Sequence, residues 1–215
     1  MKEKQLKDGE LYEEKFHFKE RRQTSLFILL CAFVVLFFIG ARAYWDSVFS
    51  GVLVSGPSME RTLQNGDKLL VKSTGWWNQP DYGDVIIVWV ADYEEWKPRG
   101  EQRIIKRLIA KEGDSVYAKD GTVYLKKAGE SAYTALYEPY AYYSSDKLFY
   151  DFSVYTVGAG EIFFLGDNRF GSQDSRYQEN ASQLDYLYKA SDIIGTVPEW
   201  AIANKTILEK IFFGE

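Results

Sequence analysis

A run of 19 uncharged residues constrains this chain more than any other feature of its sequence. The run extends from Gln23 to Ala41, between Arg22 and Arg42. At the rise of an α-helix it is long enough to cross a hydrocarbon core about 30 Å thick. We therefore expect a transmembrane helix over residues 23–41, preceded by a short segment, residues 1–22, and followed by the main body, residues 43–215.

Two other interpretations of this run are open: a buried core helix and a cleavable signal peptide. A signal peptide would be cut after the small-x-small triplet Ala41-Arg42-Ala43. The apolar stretch from Leu26 to Gly40 is at the upper end of an h-region of about 7–15 residues, and the arginine inside the triplet disfavours cleavage. A retained membrane anchor is the preferred prediction, with the lipid bilayer as a partner.

The basic residues that flank the run predict its orientation. Lys19, Arg21 and Arg22 precede it, whereas Arg42 alone follows closely. Because basic residues are enriched on the cytoplasmic side of membrane helices, we expect a cytoplasmic N-terminus. The chain is then a single-pass protein of the cell membrane, with its body on the extracytoplasmic side.

Cysteine and histidine are too rare for several kinds of site. The chain has one of each, Cys31 and His17, so neither an intramolecular disulfide nor a zinc cluster of cysteines and histidines can form. We predict no cofactor and no metal. His17 precedes the apolar run, which leaves the body without imidazole and excludes Ser-His-Asp and Cys-His catalysis there. A nucleophile in the body must take its base from Lys, Asp, Glu or a terminal amine.

The charge of the body argues against a nucleic-acid partner. After residue 24, 25 acidic residues outnumber 19 basic residues. A surface with this balance repels a phosphate backbone, so nucleic acid is not an expected partner.

The body alternates short β-branched and aromatic runs with Gly, Asp and Pro, which predicts a mainly β, antiparallel fold. Asp120-Gly121 separates two of these runs and is a strong signal for a hairpin. Residues 129–152 hold eight aromatic residues without clear periodicity, and we expect an inserted cap or subdomain there. The predicted strands are residues 68–72, 85–90, 103–110, 115–118, 122–125, 153–157, 161–165 and 193–197.

Lys106 is the first candidate for chemistry in the body. In the predicted strand 103–110 it shares a face with Ile104, Leu108 and Ala110. Burial among apolar residues disfavours an ammonium ion and lowers the pKa of a lysine, which can then act as a base. Because the opposite face also carries isoleucines, an edge lysine whose amine reaches water remains an open alternative.

Two polar segments add further candidates. Ser58 follows Gly56-Pro57, and taken alone a serine in this position is more often a turn or cap residue than a nucleophile. Residues 166–176, GDNRFGSQDSR, are on their own typical of a polar surface loop held by Asp-Arg pairs, and Asp174 with Arg176 is one candidate pair.

Four motifs occur in a fixed order along the chain. Residues 55–67 resemble the pattern S-G-x-S-M-x-P-T-L-x-x-G-D, residues 83–86 resemble G-D-[IV]-[IV], and residues 105–114 resemble I-K-R followed by G-D. Residues 166–176 match G-D-N-R-x-x-S-x-D-S-R. In this order and spacing they resemble the bacterial type I signal peptidases, membrane-anchored serine proteases with a Ser/Lys dyad.

The resemblance implies a role for each matched residue. Ser58 is then the nucleophile and Lys106 the general base, with Ser172 orienting the lysine. The backbone N–H of Ser58 is part of the oxyanion hole, and Gly56 stands where some relatives have a serine as second donor. The remaining supporting residues implied are Met59 of the Ser-Met motif, Asp167, Arg169, Asp174 and Arg176.

The resemblance also implies a substrate and a place of action. The substrate class is the translocated preprotein whose signal peptide ends in small residues of the type Ala-x-Ala, processed beside the bilayer and near the secretion translocon. Trp76-Trp77 follows the Ser-Met motif and is either an interfacial contact or an ordinary pair of packed aromatic residues.

The sequence departs from the family pattern at two points. Arg61 stands where the family usually has Pro, and Ala110-Lys111-Glu112 stands where many relatives have Gly-x-Pro. The alternative function is therefore a signal-peptidase-like assembly factor for particular surface proteins, with weak or no turnover.

Two other enzymatic alternatives receive less support from the sequence. A self-cleaving protease of the phage-repressor type is disfavoured by the membrane anchor and by the lack of a basic DNA-binding segment. A hydrolase that uses two carboxylates would need a spaced acidic pair, and no such pair stands out.

Overall fold

The structure is a computed structural model that describes residues 2–75, 78–93, 96–143, 151–176 and 188–214. It divides into two units, residues 1–48 and residues 49–215. The first unit is one helix, α1 (Lys2–Val48). Trp76 and Trp77, for which an interfacial contact and an ordinary aromatic packing were both open, lie outside the described residues.

Helix α1 extends beyond residues 23–41 at both ends. The preceding residues are rich in Lys and Glu, which favour helix, and an ion pair between Arg42 and Asp46 at 2.8 Å supports the last turns. Its part from Arg22 to Val48 is long and apolar enough to cross a membrane, and none of its most apolar stretch is buried. A core helix would be buried, so this interpretation of the run is not supported. The membrane boundaries at residues 22, 41 and 43 stay a prediction.

The second unit is built on a six-stranded antiparallel sheet. Its strands are β1 (Phe49–Leu53), β2 (Lys68–Ser73), β3 (Val85–Trp89), β4 (Arg103–Lys111), β9 (Ile162–Leu165) and β10 (Ile193–Val197), in the order β1-β2-β10-β3-β4-β9. The predicted antiparallel β fold is confirmed. Strand β1 was not predicted, because its five residues directly follow the helix and include Gly51.

The part of the chain that lies between β4 and β9 in sequence forms a second sheet of four strands. Strands β4 and β9 themselves pair with each other in the first sheet. It consists of β5 (Ser115–Lys119), β6 (Thr122–Lys126), β7 (Thr134–Ala135) and β8 (Phe152–Thr156), in the order β7-β6-β5-β8. Asp120 and Gly121 join β5 to β6 with φ angles of 51° and 74°, as a type I′ hairpin turn requires. The segment 129–152 contributes β7, and its residues 144–150 lie outside the described ranges.

Strand β4 contributes residues to two apolar clusters, and its structure differs from one prediction. Ile104 and Leu108 belong to a cluster built largely on the first sheet, whereas Ile109 and Ala110 pack with residues of the second sheet. The pairing of β4 with β9 slips between Leu108 and Ala110. Because such a bulge breaks the alternation of faces, the prediction that Ala110 shares the surroundings of Lys106 is wrong.

The chain ends in a short helical segment that was not predicted. It comprises α2 (Glu199–Ala203), α3 (Lys205–Leu208) and a π-helical turn, Glu209–Phe213. All three pack against β2, and Ala201 of α2 and Leu208 of α3 are buried.

Candidate active site

The side chains of Ser58 and Lys106 meet, although 48 positions separate them in the chain. The Nζ atom of Lys106 lies 3.0 Å from Oγ of Ser58 and donates a second hydrogen bond, at 3.1 Å, to the carbonyl of Ile105. Lys106 is 3% exposed, so the alternative of an edge lysine with its amine in water is wrong. The two candidates that the sequence singled out separately therefore form one site.

A tight turn presents the hydroxyl of Ser58. The carbonyl of Pro57 accepts the N–H of Glu60 at 3.0 Å, and that of Met59 accepts the N–H of Leu63 at 2.8 Å. The side chains of Met59 and Leu63 are buried and anchor the turn in the core. Ser58 itself remains only partly buried, so its hydroxyl faces a space that a second molecule can enter.

Gly56 directly precedes this turn and gives the backbone the conformation with which it enters the turn. Its φ angle is 87°, a left-handed conformation that glycine adopts without strain. Its backbone N–H donates to Oδ1 of Asn65 at 3.0 Å. This N–H is therefore already engaged with a side chain, at the position for which the resemblance in sequence implied a second oxyanion donor.

Asn168 fixes the turn to the segment that follows β9. Its backbone N–H donates to the carbonyl of Ser58 at 3.0 Å, and its side-chain amide donates to Pro57 at 3.2 Å and to Oε2 of Glu60 at 2.9 Å. Its Oδ1 accepts the N–H of Gly171 at 2.9 Å. The sequence analysis assigned no role to Asn168, and the only signal for one was its place in the last motif.

Gly166 and Ser172 lie against the turn of Ser58. A Cβ atom on Gly166 would stand 2.2 Å from Oγ of Ser172 and 2.6 Å from the carbonyl oxygen of Ser58. The hydroxyl of Ser172 donates to the carbonyl of Gln173 at 3.4 Å. Ser172 is thus beside the site, and its role in orienting Lys106 stays a prediction.

We expect Gly166→Ala to damage both stability and activity. The added methyl group has to displace the Ser58 backbone or the Ser172 side chain, and overpacking of this kind costs about 1–3 kcal/mol. Thermal unfolding measures the loss of stability, and the rate of the peptidase reaction expected from the sequence measures the loss of activity. Gly40→Ala is the control, since a Cβ there meets no atom within 4 Å. Equal melting temperatures and rates for the two variants would contradict the interpretation that a methyl group at position 166 clashes with Ser58 and Ser172.

Asp167 forms a buried bidentate ion pair with Arg107, the residue after Lys106. Its two carboxylate oxygens accept from Nε and Nη2 of Arg107 at 2.8 and 2.6 Å. Thr62, on the turn of Ser58, donates to the same carboxylate at 2.5 Å. Arg107 also donates to the carbonyl of Gly83 at 2.6 Å, and its guanidinium lies 3.8 Å from the ring centre of Tyr140. One carboxylate thus connects β4 with the turn of Ser58.

Arg169 pairs with Glu138, which lies in the predicted inserted segment. Its Nη2 and Nη1 atoms donate to the Glu138 carboxylate at 2.5 and 3.1 Å, and Tyr140 donates to the same carboxylate at 3.0 Å. Burial acts against the charge of Arg169, but the Glu138 carboxylate outweighs it and raises the pKa of the guanidinium. Burial, with Glu138 beside it, raises the pKa of Tyr140 well above its usual range, so the phenol stays neutral.

Asp174 and Arg176 form the ion pair that the sequence suggested. Nε and Nη2 of Arg176 donate to the two carboxylate oxygens at 2.7 and 2.8 Å, and both side chains are buried. Asp174 also accepts the N–H of Gly166 at 3.0 Å, and Arg176 donates to the carbonyl of Arg169 at 2.8 Å. The pair therefore holds the backbone of the segment that touches Ser58.

A cavity of about 470 Å³ opens at Ser58 and Lys106. Residues 51–59 and 100–106 line two of its sides, and Ile87, Trp96, Gly171 and Gln173 complete the lining. Its volume is within the range of about 300–1,000 Å³ that is typical of ligand sites. A serine hydroxyl in contact with a buried amine at such a cavity, in a body without imidazole, is the arrangement of a serine hydrolase with a lysine base.

Comparison with known proteins identifies the family. The family model described as signal peptidase, peptidase S26, matches residues 23–208. The chain belongs to this family and is a serine-type signal peptidase, which confirms the predicted family and enzyme class. The alternative of an assembly factor without peptidase activity is not favoured. The family and the apolar N-terminal helix together indicate membrane anchoring.

Curated relatives and a solved structure resemble the chain over most of their length. Signal peptidase I T of Bacillus subtilis strain 168 is 31% identical over 162 residues, which are 73% of this chain and 78% of that protein. Signal peptidase I of Bacillus licheniformis is 34% identical over 160 residues, 72% of this chain and 80% of that protein. The crystal structure of a signal peptidase I from Enterococcus faecalis V583 is 26% identical, with a TM-score of 0.41, and covers 56% of this chain and 98% of that one.

Proposed function

We propose that this signal peptidase removes signal peptides with Ser58 as nucleophile and Lys106 as general base. The observation that carries the assignment is the 3.0 Å contact between Oγ of Ser58 and the amine of a lysine that is 3% exposed. Family membership supports the reaction, and the contact supports these two residues as the pair that performs it.

Each step of the reaction follows from this contact. Burial disfavours the ammonium form of Lys106, and its neutral amine accepts the hydroxyl proton of Ser58 as Oγ attacks the scissile carbonyl carbon. When the C–N bond breaks, Lys106 returns the proton to the leaving amine, which becomes the N-terminus of the mature protein. Water, deprotonated by Lys106, then attacks the acyl-enzyme ester. The bond to Oγ of Ser58 breaks, Lys106 returns the proton to Oγ, and the carboxylate of the signal peptide is released.

Negative charge that develops on the substrate oxygen needs hydrogen-bond donors. The backbone N–H of Ser58 is the first proposed donor, and such donors are typically worth about 3–4 kcal/mol each. The N–H of Gly56 donates to Asn65, which makes another backbone group the better candidate for second donor.

The supporting residues act on the positions of these two side chains. We assign Ser172 the positioning of Lys106, because its side chain lies where the Gly166 backbone approaches the Ser58 carbonyl. The buried pairs Asp167–Arg107 and Asp174–Arg176 hold the backbone segments on either side of the site.

We further propose the substrate subclass and the topology. The substrates are translocated preproteins with small residues of the Ala-x-Ala type before the cleavage site, and residues 51–59 and 100–106 offer the walls of a cavity for them. The excess of basic residues before α1 favours a cytoplasmic N-terminus, which places the body on the extracytoplasmic side near the translocon.

A cleavage assay with the full-length chain in liposomes tests the assignment. The substrate is a preprotein with an Ala-x-Ala site, and the variants are Ser58→Ala and the control Ser153→Ala, which changes an exposed serine of β8. We expect wild type and the control to cut equally, and Ser58→Ala to lose at least about 10³-fold in rate because the nucleophile is gone. Cleavage by Ser58→Ala at the wild-type rate would refute the assignment. An inactive wild type on several such preproteins would refute the proposed substrate class.

A further inference from the structure

Residues 138–143, which we call the bridging segment, connect the second sheet with the candidate active site. On the side of the sheet, the hydroxyl of Tyr143 donates to the carbonyl of Gly121, in the turn between β5 and β6, at 2.7 Å. The N–H of Leu136, two residues before the segment, donates to the carbonyl of Val123 at 2.8 Å. The bridging segment is therefore attached to the second sheet at both of its ends.

The backbone of the bridging segment pairs with the residues that hold the turn of Ser58. The N–H of Tyr142 donates to the carbonyl of Asp167 at 2.7 Å, and the carbonyl of Tyr142 accepts the N–H of Arg169 at 2.8 Å. Asn168 lies between these two partners in the chain, and its own N–H donates to the carbonyl of Ser58 at 3.0 Å. Because Asn168 is buried, a shift that breaks this bond would leave its N–H unsatisfied. A single residue thus separates the bridging segment from the backbone of Ser58.

Two tyrosines of the bridging segment stack on arginines of the site. Arg61 belongs to the turn of Ser58, and its guanidinium lies 4.6 Å from the ring centre of Tyr142. Arg107 belongs to β4, and its guanidinium lies 3.8 Å from the ring centre of Tyr140. Such contacts are favourable because the face of an aromatic ring carries partial negative charge. The segment therefore contacts both the turn and the strand that carry the two central residues of the site.

Glu138 fixes the beginning of the bridging segment through its ion pair with Arg169. Both side chains are buried, so the guanidinium would be an unpaired buried charge without this carboxylate. Nε of Arg169 also donates to the carbonyl of Gly166 at 3.2 Å, and Gly166 is the residue whose backbone approaches Ser58. Because Glu138 accepts the hydroxyl of Tyr140 at 3.0 Å, the same carboxylate also holds the ring of that tyrosine.

We propose that three residues of the bridging segment are positioning residues for the peptidase reaction: Glu138, Tyr140 and Tyr142. They keep Oγ of Ser58 and the amine of Lys106 in contact, so the proposal rests on the roles proposed above for these two residues. The structure describes every residue of the bridging segment, and none of them lines the cavity at the site. Their effect is therefore on the geometry of the reacting groups and not on contact with the substrate in this cavity.

Steady-state cleavage by the full-length chain in liposomes tests the proposal, with a preprotein that has an Ala-x-Ala site. Glu138→Gln keeps the shape of the side chain and removes its charge, and Glu130→Gln changes an exposed glutamate nearby in the chain as the control. A misplacement of about 1 Å between reacting groups can cost about 10²-fold in rate. We expect Glu138→Gln to lose about 10²-fold in kcat with KM within about twofold of wild type, and the control to match wild type.

A second pair of variants tests the stacking on Arg107. Tyr140→Phe keeps the ring, whereas Tyr140→Leu removes it and stays apolar. We expect Tyr140→Phe to cut at least about tenfold faster than Tyr140→Leu, because the ring and not the hydroxyl contacts the guanidinium. Tyr137→Leu, at a side chain that is 89% exposed, is the control and is expected to match wild type.

Hydrogen exchange at the amide of Asn168 provides a measurement that does not depend on turnover. This amide donates to the carbonyl of Ser58, so its protection reports how firmly the turn is held. We expect exchange at least about tenfold faster in Glu138→Gln than in wild type. If Ser58→Ala cut as fast as wild type, the proposed nucleophile would be wrong, and unchanged exchange at Asn168 would still refute the positioning of the turn.

Two kinetic outcomes would overturn the proposal. All rates are measured at a temperature at which circular dichroism shows each variant to be folded, because a purely structural role lowers the melting temperature and leaves kcat of the folded chain unchanged. Equal kcat for folded Glu138→Gln and Glu130→Gln would show such a role. A higher KM at unchanged kcat would show an effect on substrate binding instead. If Glu138→Gln does not fold, equal rates for Tyr140→Phe and Tyr140→Leu would overturn the proposal.

Discussion

Replacing Lys106 by methionine is expected to abolish preprotein cleavage, with a loss in kcat/KM of at least about 10⁴-fold, because Ser58, the proposed nucleophile, loses its proposed base. Methionine has nearly the length of lysine and no charge, so it fits the buried position between Ile104 and Leu108 at little cost. The melting temperature of the variant therefore stays close to that of the wild type. Initial cleavage rates in liposomes and thermal unfolding measure the two quantities.

Two further variants test whether Lys106 acts as a base or only supplies a positive charge. Lys106→Arg keeps the charge but cannot lose its proton near neutral pH, so it is expected to be as inactive as Lys106→Met. Lys119→Met changes an exposed lysine of β5 and is expected to cut normally. If Lys106→Met or Lys106→Arg kept a tenth of the wild-type rate, Lys106 would not be the base.

Replacing Asp167 by alanine destabilises the body by about 3–5 kcal/mol, because it leaves the charge of Arg107 buried without its carboxylate. For a chain of this size such a loss lowers the melting temperature by about 10 °C. The variant also removes the acceptor for Thr62 on the Ser58 turn, so cleavage falls together with stability. Thermal unfolding and the cleavage assay check both effects.

A surface ion pair provides the control for this variant. Asp81 lies 2.9 Å from Lys111, and its side chain is 74% exposed, so Asp81→Ala is expected to cost at most about 1 kcal/mol. A melting temperature of Asp167→Ala within the error of that of Asp81→Ala would show that the buried pair contributes nothing to stability.

The two central residues of the site could be predicted because their signals are local. Lys106 stands in a strand whose neighbours Ile104 and Leu108 alternate as in a half-buried strand, and Ser58 stands in a turn motif that can be read residue by residue. The bulge after Leu108 could not be predicted, since the residues on both sides of it are apolar. For this reason the face of Ala110 was assigned wrongly.

The partners of the arginines depend on contacts that are distant in sequence. Glu138 meets Arg169 across 31 positions and lies in a segment without periodicity, so no sequence signal marked it. Arg107 was visible only as the residue after Lys106, and its pairing with Asp167 spans 60 positions. Contacts of this kind are determined by the tertiary fold and not by local pattern.

Arg61, where the family usually has proline, has a structural explanation. Its φ angle is 77°, whereas a proline ring fixes φ near about −65°, so proline does not fit this conformation. The guanidinium lies 4.6 Å from the ring centre of Tyr142, and Tyr142 pairs through its backbone with the segment of Asn168. Arg61 therefore replaces proline in a turn of different conformation, which the contact with Tyr142 stabilises. The contact between Ser58 and Lys106 is present beside it.

The position of β10 in the six-stranded sheet determines when during synthesis the enzyme can become active. Strands β1 and β2 border the turn of Ser58, and Lys106 lies in β4, between β3 and β9. Strand β10 joins these two halves of the sheet by pairing with both β2 and β3. Each half of the sheet can form through pairing of its own strands, but the two halves are joined only by β10. Pairings between strands that are far apart in sequence form late. A nascent chain that ends before residue 193 therefore lacks the strand that holds β2 and β3 in one sheet, and we expect the stable contact between Ser58 and Lys106 only after residues 193–197 have been made.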